Sequence, residues 1–105
     1  GNDASVALAE GIAGSEEAFA EMMTTRAAQL GMANTSFKNT TGLPHPEHYS
    51  SARDLALLGL SLIQNFPEYY GIYSTRAFKF NNINQHNRNP LLHTVQGADG
   101  LKTGY

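Results

Sequence analysis

The sequence lacks cysteine and tryptophan and has few charged residues. With no Cys among its 105 residues, the chain can form neither disulfides nor thiolate metal sites. Lys and Arg number 7 against 9 Asp and Glu, a formal charge of −2, which excludes the basic surface of a typical nucleic-acid-binding protein. The same balance excludes a polybasic membrane patch. No apolar run reaches the roughly 18 residues that suggest a membrane-spanning helix.

What the sequence does have is a hydrophobic fraction of 41%, enough for one small domain with a thin core. Apolar spacing predicts a first helix over residues 3–13, capped by Asn2 or Asp3 and ended by Gly14. Its expected buried stripe consists of Val6, Ala7, Ile12 and Ala13.

Two further helices have clearer boundaries. The second begins after the N-cap Ser15 and ends at Gly31, where Met32 is expected to fold back onto the helix end. The third begins at Ser50 or Ser51, and Ser51 and Asp54 have the spacing of a capping box. Its predicted apolar face consists of Leu55, Leu58, Leu62, Ile63 and Phe66.

A long connection, residues 33–49, separates these two helices. Pro44 and Pro46 exclude a regular helix there, and Asn, Thr and Gly are frequent. A connection of this length in a compact domain is usually functional or tightly held, so we expect one of the two.

The last third of the chain has a different pattern. Pro67 closes the third helix, and residues 68–74 predict one or two further helical turns. Alternation from Ala77 onwards around Asn81 and Asn82 predicts a β-hairpin. We expect residues 91–92 to be buried and residues 101–105 to be the first half of a strand. The predicted fold is therefore mainly α, with a small β-hairpin and a strand stub.

Several groups of residues could carry chemistry, but each has a plainer interpretation. An H-x-x-H pair and two further histidines lack nearby carboxylates, so we expect no metal site; they are His45, His48, His86 and His93. Core packing is a better interpretation than a carbohydrate or peptide platform for the aromatic residues Phe66, Tyr69, Tyr70 and Tyr73. Arg53 and Asp54 are interpreted as a loop-anchoring Arg and a helix-capping residue.

The two ends of the chain carry the strongest signal. The chain opens on Gly1-Asn2 and closes on Lys102-Thr103-Gly104 before Tyr105. Lys-Thr-Gly, together with S-x-x-K and a second serine motif, marks penicillin-binding proteins and class A β-lactamases. In that chemistry Lys supplies positive charge, Thr can hold a substrate carboxylate, and Gly allows close approach.

Over nearly its whole length the sequence resembles the D-alanyl-D-alanine carboxypeptidases, the low-molecular-mass penicillin-binding proteins. The matching stretches are NDASVALAEGIAGSEEAFAEMM (2–23), LGMANTSFKNTTGL (30–43), HYSSARDLALL (48–58), NFPEYYGIYS (65–74), NRNPLL (87–92) and GADGLKTGY (97–105). Members of this family carry Ser-Gly-Asn where this chain begins with Gly1-Asn2. We therefore expect residues 1–105 to be a single partial domain, the helical subdomain between the second and third motifs of the penicillin-binding protein and β-lactamase-like transpeptidase fold.

The resemblance implies specific roles for the residues at the two ends. Asn2 would face the substrate amide and Lys102 would be the charged lysine of the third motif, both in catalytic roles. Thr103 would bind the terminal carboxylate, Gly104 would let the substrate approach, and the Tyr105 backbone N–H would be an oxyanion-hole donor. Because both motifs line one pocket in the family, we expect Asn2 and Lys102 to lie close together.

The nucleophile motif S-x-x-K is missing from the chain. None of the serines at positions 5, 15, 36, 50, 51, 61 and 74 is followed by Lys three residues later. We therefore expect both ends to be cuts inside a longer protein and this chain alone to be inactive. The cuts would expose apolar surface, so self-association or domain swapping is also expected.

The resemblance further implies substrate, partners and location. The parent would trim the last D-Ala from peptidoglycan stem peptides through an acyl-enzyme, without a cofactor, and would be acylated by β-lactams. It would act outside the cytoplasmic membrane, in the periplasm or at its extracytoplasmic face, with any membrane contact made by segments outside this chain.

Two alternatives remain at this point. The first is a non-catalytic helical binding module that uses the aromatic residues and the Pro-rich loop. The second is a fragment of a class A β-lactamase, which needs a deacylating Glu in this region. The candidates Glu47 and Glu68 are followed by HYS and YYG instead of the expected Leu-Asn pattern, which disfavours fast β-lactam hydrolysis.

Overall fold

A computed structural model describes residues 1–104 and divides the chain into two compact units, residues 1–61 and residues from 62 onwards. The elements, in chain order, are α1 (Asn2–Ala13), α2 (Glu16–Gln29), α3 (Ala52–Asn65), α4 (Pro67–Tyr70), a 3₁₀ turn (Gly71–Ser74), β1 (Ala77–Phe80), β2 (Ile83–His86) and α5 (Leu91–Thr94). The predicted mainly helical fold with a two-stranded hairpin is confirmed. The single partial domain stays a prediction.

The start of α1 differs from the prediction. The helix begins at Asn2 itself and Gly1 is the N-cap, so neither Asn2 nor Asp3 caps it. The buried-stripe prediction is also wrong, because Ala9 is the buried residue of α1 while Ile12 is 64% exposed. The helix packs against α2, and a small residue such as alanine allows close approach.

Both ends of α2 follow their sequence signals. The Ser15 hydroxyl accepts the Ala18 N–H at 3.1 Å, as an N-cap does. At the other end Gly31 has φ 85°, a left-handed conformation that glycine adopts without strain. The Met32 N–H reaches back to the Ala27 carbonyl at 2.9 Å, and Met32 is 2% exposed. This is the predicted cap with its hydrophobic partner.

The start of α3 and the turns after it are as predicted, but its apolar face is not buried. The Ser51 hydroxyl caps the helix by accepting the Asp54 N–H at 3.1 Å, and Pro67 begins α4. Leu55, Ile63 and Phe66 are 46–49% exposed. Within this chain the helix therefore has more apolar surface than its neighbours cover.

The hairpin forms with the expected two-residue turn. Ala77 pairs with His86 and Phe80 pairs with Ile83. Asn81 and Asn82 have φ values of 52° and 60°, the left-handed pair that a tight antiparallel hairpin requires and that Asn tolerates well.

Two predictions for the end of the chain are only partly right. Leu92 is buried, whereas Leu91 is 50% exposed. Residues 101–104 form no strand, because a strand needs a neighbour for its N–H and C=O groups, and none pairs with these four residues in the described part of the chain. Tyr105 lies outside the described residues. No helix within residues 1–104 is long and apolar enough to cross a bilayer.

Candidate functional site

The predicted site residues lie in different units of the chain. Asn2 is the exposed first residue of α1, in the first unit. Lys102, Thr103 and Gly104 follow α5 in the second unit, where the Lys102 ammonium is exposed and donates to the Thr103 carbonyl at 2.6 Å. The common pocket for Asn2 and Lys102 stays a prediction, and the role assigned to Tyr105 falls outside the described residues.

The stretch leading to Lys102 is held by two side chains of the second unit. The Asn89 side-chain amide donates to the Gly100 carbonyl at 2.9 Å. The Tyr70 hydroxyl donates to the Asp99 carboxylate at 3.0 Å. Neither residue was predicted from the sequence to belong to the site. Asn-rich loops commonly fold through side-chain to backbone bonds, so the N-x-N spacing at 87–89 was the available signal.

Asn89 is itself fixed by a network of backbone bonds. It is 7% exposed, and its side-chain oxygen accepts the Leu91 N–H at 3.1 Å. Its own N–H donates to the Asn87 side-chain oxygen at 2.9 Å, and the Asn87 amide nitrogen donates to the carbonyls of Tyr73 and Thr75. Because both ends of the Asn89 amide are used, its orientation is determined.

The hydroxyl of Tyr70 has an altered acidity. Burial raises its pKa above the ordinary 10.0, and the Asp99 carboxylate acts in the same direction by accepting its proton and by repelling the phenolate. The neutral hydroxyl that donates to Asp99 is therefore the stable form throughout the neutral pH range.

This shift predicts an alkaline loss of stability. A pKa raised in the folded state contributes stability that is fully present below about pH 10 and is lost as the pH rises through the folded value. Between about pH 9 and pH 11, we expect the unfolding temperature of the wild type to fall more steeply than that of Tyr70→Phe. Thermal unfolding followed by circular dichroism measures both slopes. Tyr69→Phe, at a 65% exposed position, should keep the wild-type slope, and equal slopes for Tyr70→Phe would contradict the prediction.

The long connection, residues 33–49, is tightly held, which is one of the two predicted alternatives. Ser36 and Tyr49 exchange backbone hydrogen bonds at 2.9 and 3.0 Å. On the α2 side, Glu16 accepts both the N–H and the hydroxyl of Thr40 at 3.0 Å. Thr24 accepts the N–H of Phe37 at 2.9 Å.

On the α3 side the anchor is Asp54, so the sequence prediction of a loop-anchoring Arg53 is wrong. The Asp54 side chain is completely buried, and its Oδ2 accepts the Asn34 N–H at 2.8 Å and the Thr35 hydroxyl at 2.7 Å. Since the Thr35 proton points to Asp54, Thr35 accepts the Ser50 hydroxyl at 2.8 Å. The Arg53 side chain is 72% exposed and lies 3.7 Å from Oδ1, an atom that accepts no hydrogen bond.

The Thr35 hydroxyl is the main reason that the pKa of Asp54 lies below its ordinary 3.8. The Asn34 N–H and the Arg53 charge act in the same direction, and burial opposes them. Asp54 is thus held as an anion whose charge is stabilised by donors from the loop.

The histidines of the loop act as hydrogen-bond acceptors. Nδ1 of His48 accepts the Lys38 N–H, and Nδ1 of His45 accepts the Glu47 N–H, both at 3.0 Å. Within residues 1–104 no group of three or more His, Cys, Asp or Glu side chains is arranged to hold a metal ion.

The aromatic residues after α3 surround an open cavity of about 460 Å³ instead of forming a closed core. Tyr70 and Tyr73 are half-buried, with ring centroids 5.6 Å apart. Phe66 and Tyr69 are 49% and 65% exposed, so the core-packing prediction is wrong for these two.

Comparison with known proteins gives one family over the whole chain. The family model described as D-alanyl-D-alanine carboxypeptidase, peptidase family S11, matches residues 1–105. The chain is 49% identical over 105 residues to the D-alanyl-D-alanine carboxypeptidase DacC of Escherichia coli, covering 99% of this chain and 26% of that protein. It is 44% identical over 111 residues to DacF of Bacillus subtilis, covering 100% of this chain and 28% of the relative.

The fold agrees with the sequence comparison. The chain superposes on penicillin binding protein 5 from Haemophilus influenzae with a TM-score of 0.92 and 49% identity, covering 100% of this chain and 31% of that structure. The chain spans about a quarter of the length of the curated relatives it matches. The predicted relation to the penicillin-binding protein fold is confirmed.

Proposed function

Because this chain belongs to the D-alanyl-D-alanine carboxypeptidase family, we propose that the protein containing it is a serine-type D-Ala-D-Ala carboxypeptidase. Its substrate is a peptidoglycan stem peptide ending in D-Ala-D-Ala. The observation that carries the proposal is the family match over residues 1–105, which includes the motif Lys102-Thr103-Gly104 with its exposed lysine.

The reaction forms and then hydrolyses an acyl-enzyme. A serine outside this chain attacks the carbonyl carbon of the penultimate D-Ala, an ester forms, and the peptide C–N bond breaks. The serine proton is transferred to the amine of the departing D-Ala, and water hydrolyses the ester in the second step. No cofactor is needed for either step.

The residues of this chain act at the substrate. The Lys102 ammonium supplies positive charge near the terminal carboxylate and the oxygen that becomes negative in the transition state. The Thr103 hydroxyl donates a hydrogen bond to the carboxylate, while Gly104 has no side chain in the approach path and Asn2 holds the substrate amide. Backbone amides complete the oxyanion hole, and the family resemblance assigns one of them to Tyr105.

The same chemistry accounts for β-lactams as inhibitors. A penicillin carries a carboxylate for Thr103 and a strained acyl bond for the serine, so it forms the same ester. Glu47 and Glu68 are both exposed and lack the expected following sequence, so release of that ester is slow. We place the protein in the periplasm or at the extracytoplasmic face of the membrane, where its substrate lies. We also propose that the excised chain self-associates through its exposed apolar side chains.

Penicillin labelling tests the proposal. We expect the full-length protein that contains this chain to gain the mass of one penicillin and to release D-Ala from a peptide ending in D-Ala-D-Ala. The isolated chain, at 11.4 kDa, should gain nothing, because it has no S-x-x-K serine. Intact-mass spectrometry with and without penicillin measures both. An unlabelled, inactive full-length protein would refute the function, and an adduct on the isolated chain would refute our account of the nucleophile.

A further inference from the structure

Two side chains of the second unit bond the stretch just before Lys102. The Asn89 amide donates to the Gly100 carbonyl at 2.9 Å. The Tyr70 hydroxyl donates to the Asp99 carboxylate at 3.0 Å. We call these two hydrogen bonds the grip. These bonds fix the two residues that precede Leu101 and Lys102, although residues 101–104 belong to no helix or strand.

The Tyr70 ring also closes the space beside Gly100. A Cβ atom built on Gly100 would lie 2.8 Å from the Tyr70 hydroxyl oxygen, closer than real Cβ contacts allow. The next atoms are Cζ at 3.4 Å and Cε2 at 3.8 Å, which are ordinary contact distances. The backbone at Gly100 therefore lies against the phenol oxygen, and one atom of Tyr70 is responsible for the conflict.

The side chains of Tyr70 and Asn89 are themselves held in place by neighbouring residues. Asn89 is buried; its backbone N–H donates to the Asn87 side-chain oxygen, and its own side-chain oxygen accepts the Leu91 N–H at the start of α5. Tyr70 ends α4, and its ring contacts that of Tyr73 in the following turn. Supports of this kind hold a neighbouring segment precisely because their own conformations are restricted.

We propose that Tyr70 and Asn89 are positioning residues for the reaction: they set the backbone path that carries Lys102 and Thr103 to the substrate. This inference rests on the proposed carboxypeptidase function. Neither residue needs to touch the substrate. Their effect is on the place of the Lys102 charge and the Thr103 hydroxyl, since misplacement by about 1 Å can cost a hundredfold in rate.

The first test combines a substitution that should slow acylation with a second substitution that should restore the rate. In the full-length protein, Gly100→Ala should lower the limiting rate of acylation by penicillin about tenfold to a hundredfold. Tyr70→Phe alone should cost less than about tenfold, because it removes one hydrogen bond and keeps the ring. The double variant should recover to the rate of Tyr70→Phe, since the added methyl then meets only Cζ and Cε2. Failure of the double variant to exceed Gly100→Ala would overturn the proposal.

A second variant tests the hydrogen bond between the Asn89 amide and the Gly100 carbonyl. Asn89→Asp keeps the size and an acceptor for the Leu91 N–H, but it replaces the donor with a carboxylate oxygen facing the Gly100 carbonyl. We expect a loss of about tenfold or more in the limiting acylation rate. Asn84→Asp, on the exposed strand β2, makes the same chemical change away from the grip and should retain the wild-type rate. A wild-type rate for Asn89→Asp would also overturn the proposal.

The rate constant and the amplitude of acylation together distinguish a positioning role from a folding defect. A purely structural role lowers the fraction of protein that becomes acylated, whereas displacement of Lys102 lowers the rate constant of the folded fraction. Stopped-flow labelling with a fluorescent penicillin measures both. A loss confined to the amplitude would therefore count against a positioning role.

The grip can also be tested independently of the function. If the wild-type protein forms no penicillin adduct, the carboxypeptidase proposal fails. Hydrogen exchange at the Leu101 and Lys102 amides then decides whether the grip exists. Faster exchange in Asn89→Asp than in Asn84→Asp supports it, and equal exchange overturns it.

Discussion

We expect the replacement of Lys102 by alanine to lower the rate of penicillin acylation in the full-length protein about a hundredfold to a thousandfold. This is the usual cost of removing a group that stabilises the developing charge of an acyl-transfer transition state. The Lys102 side chain is exposed and bonds the carbonyl of the next residue, so its loss creates no cavity. We expect the variant to fold normally and to lose rate rather than stability. Stopped-flow labelling and a thermal unfolding curve on the same sample check both statements.

Lys79 provides a matched control. It lies on β1, whose four residues are all exposed, and Lys79→Ala removes the same charge from the same unit of the chain. This control should acylate at the wild-type rate. Lys102→Arg keeps the charge but replaces a compact ammonium with a planar guanidinium, so a partial loss is expected. A Lys102→Ala protein as fast as Lys79→Ala would show that the motif has been assigned the wrong role.

Replacing Asp54 by alanine has the largest expected effect on stability. The substitution leaves the Asn34 N–H and the buried Thr35 hydroxyl without their shared acceptor, and an unpaired buried donor is costly. We expect the unfolding temperature to fall by roughly 5 °C or more, with faster hydrogen exchange in residues 33–37. Thermal unfolding and hydrogen exchange of the full-length protein measure the two effects.

Arg53→Ala is the control for Asp54. It removes the adjacent, largely exposed partner, and exposed ion pairs contribute little, so the unfolding temperature should hardly change. A larger loss in Arg53→Ala than in Asp54→Ala would restore the arginine as the anchor of the loop.

The pH dependence of Asp54 has the opposite sign to that of Tyr70. Because its pKa is lowered from 3.8 in the folded state, its contribution is fully present above that value and is lost as the pH falls through the folded pKa. An Asp54→Asn protein has no carboxylate to protonate at this position and so lacks this pH-dependent contribution to stability. Its unfolding temperature should therefore change less below about pH 4 than that of the wild type.

Local signals in the sequence were enough for both ends of α2, the start of α3 and the hairpin. Ser15, Gly31 and the Asn81-Asn82 turn act through atoms within a few residues, so their effect can be predicted from short patterns. The anchor of the loop could not be found in this way. Asp54 has capping-box spacing, but its carboxylate binds residues about twenty positions earlier, and no local pattern records that partner.

The site was predictable only in part for the same reason. Lys102, Thr103 and Gly104 belong to a short motif, and the resemblance gave them roles directly. Tyr70 and Asn89 bond Asp99 and Gly100, which lie 29 and 11 positions further along the chain, respectively, just before that motif. Only the folded arrangement shows these contacts. The apolar stripe of α3 was predictable, but such a stripe indicates a face to be covered without indicating what covers it.

The attachment of the 33–49 connection bears on the order in which the first unit folds. Its side-chain contacts join residues no more than 24 positions apart, from Glu16–Thr40 to Asn34–Asp54. The entropy of closing loops grows only with the logarithm of their length, and short-range contacts favour fast folding. The segment from α2 to the start of α3 can therefore assemble from contacts that are local in sequence, before distant parts of the polypeptide meet.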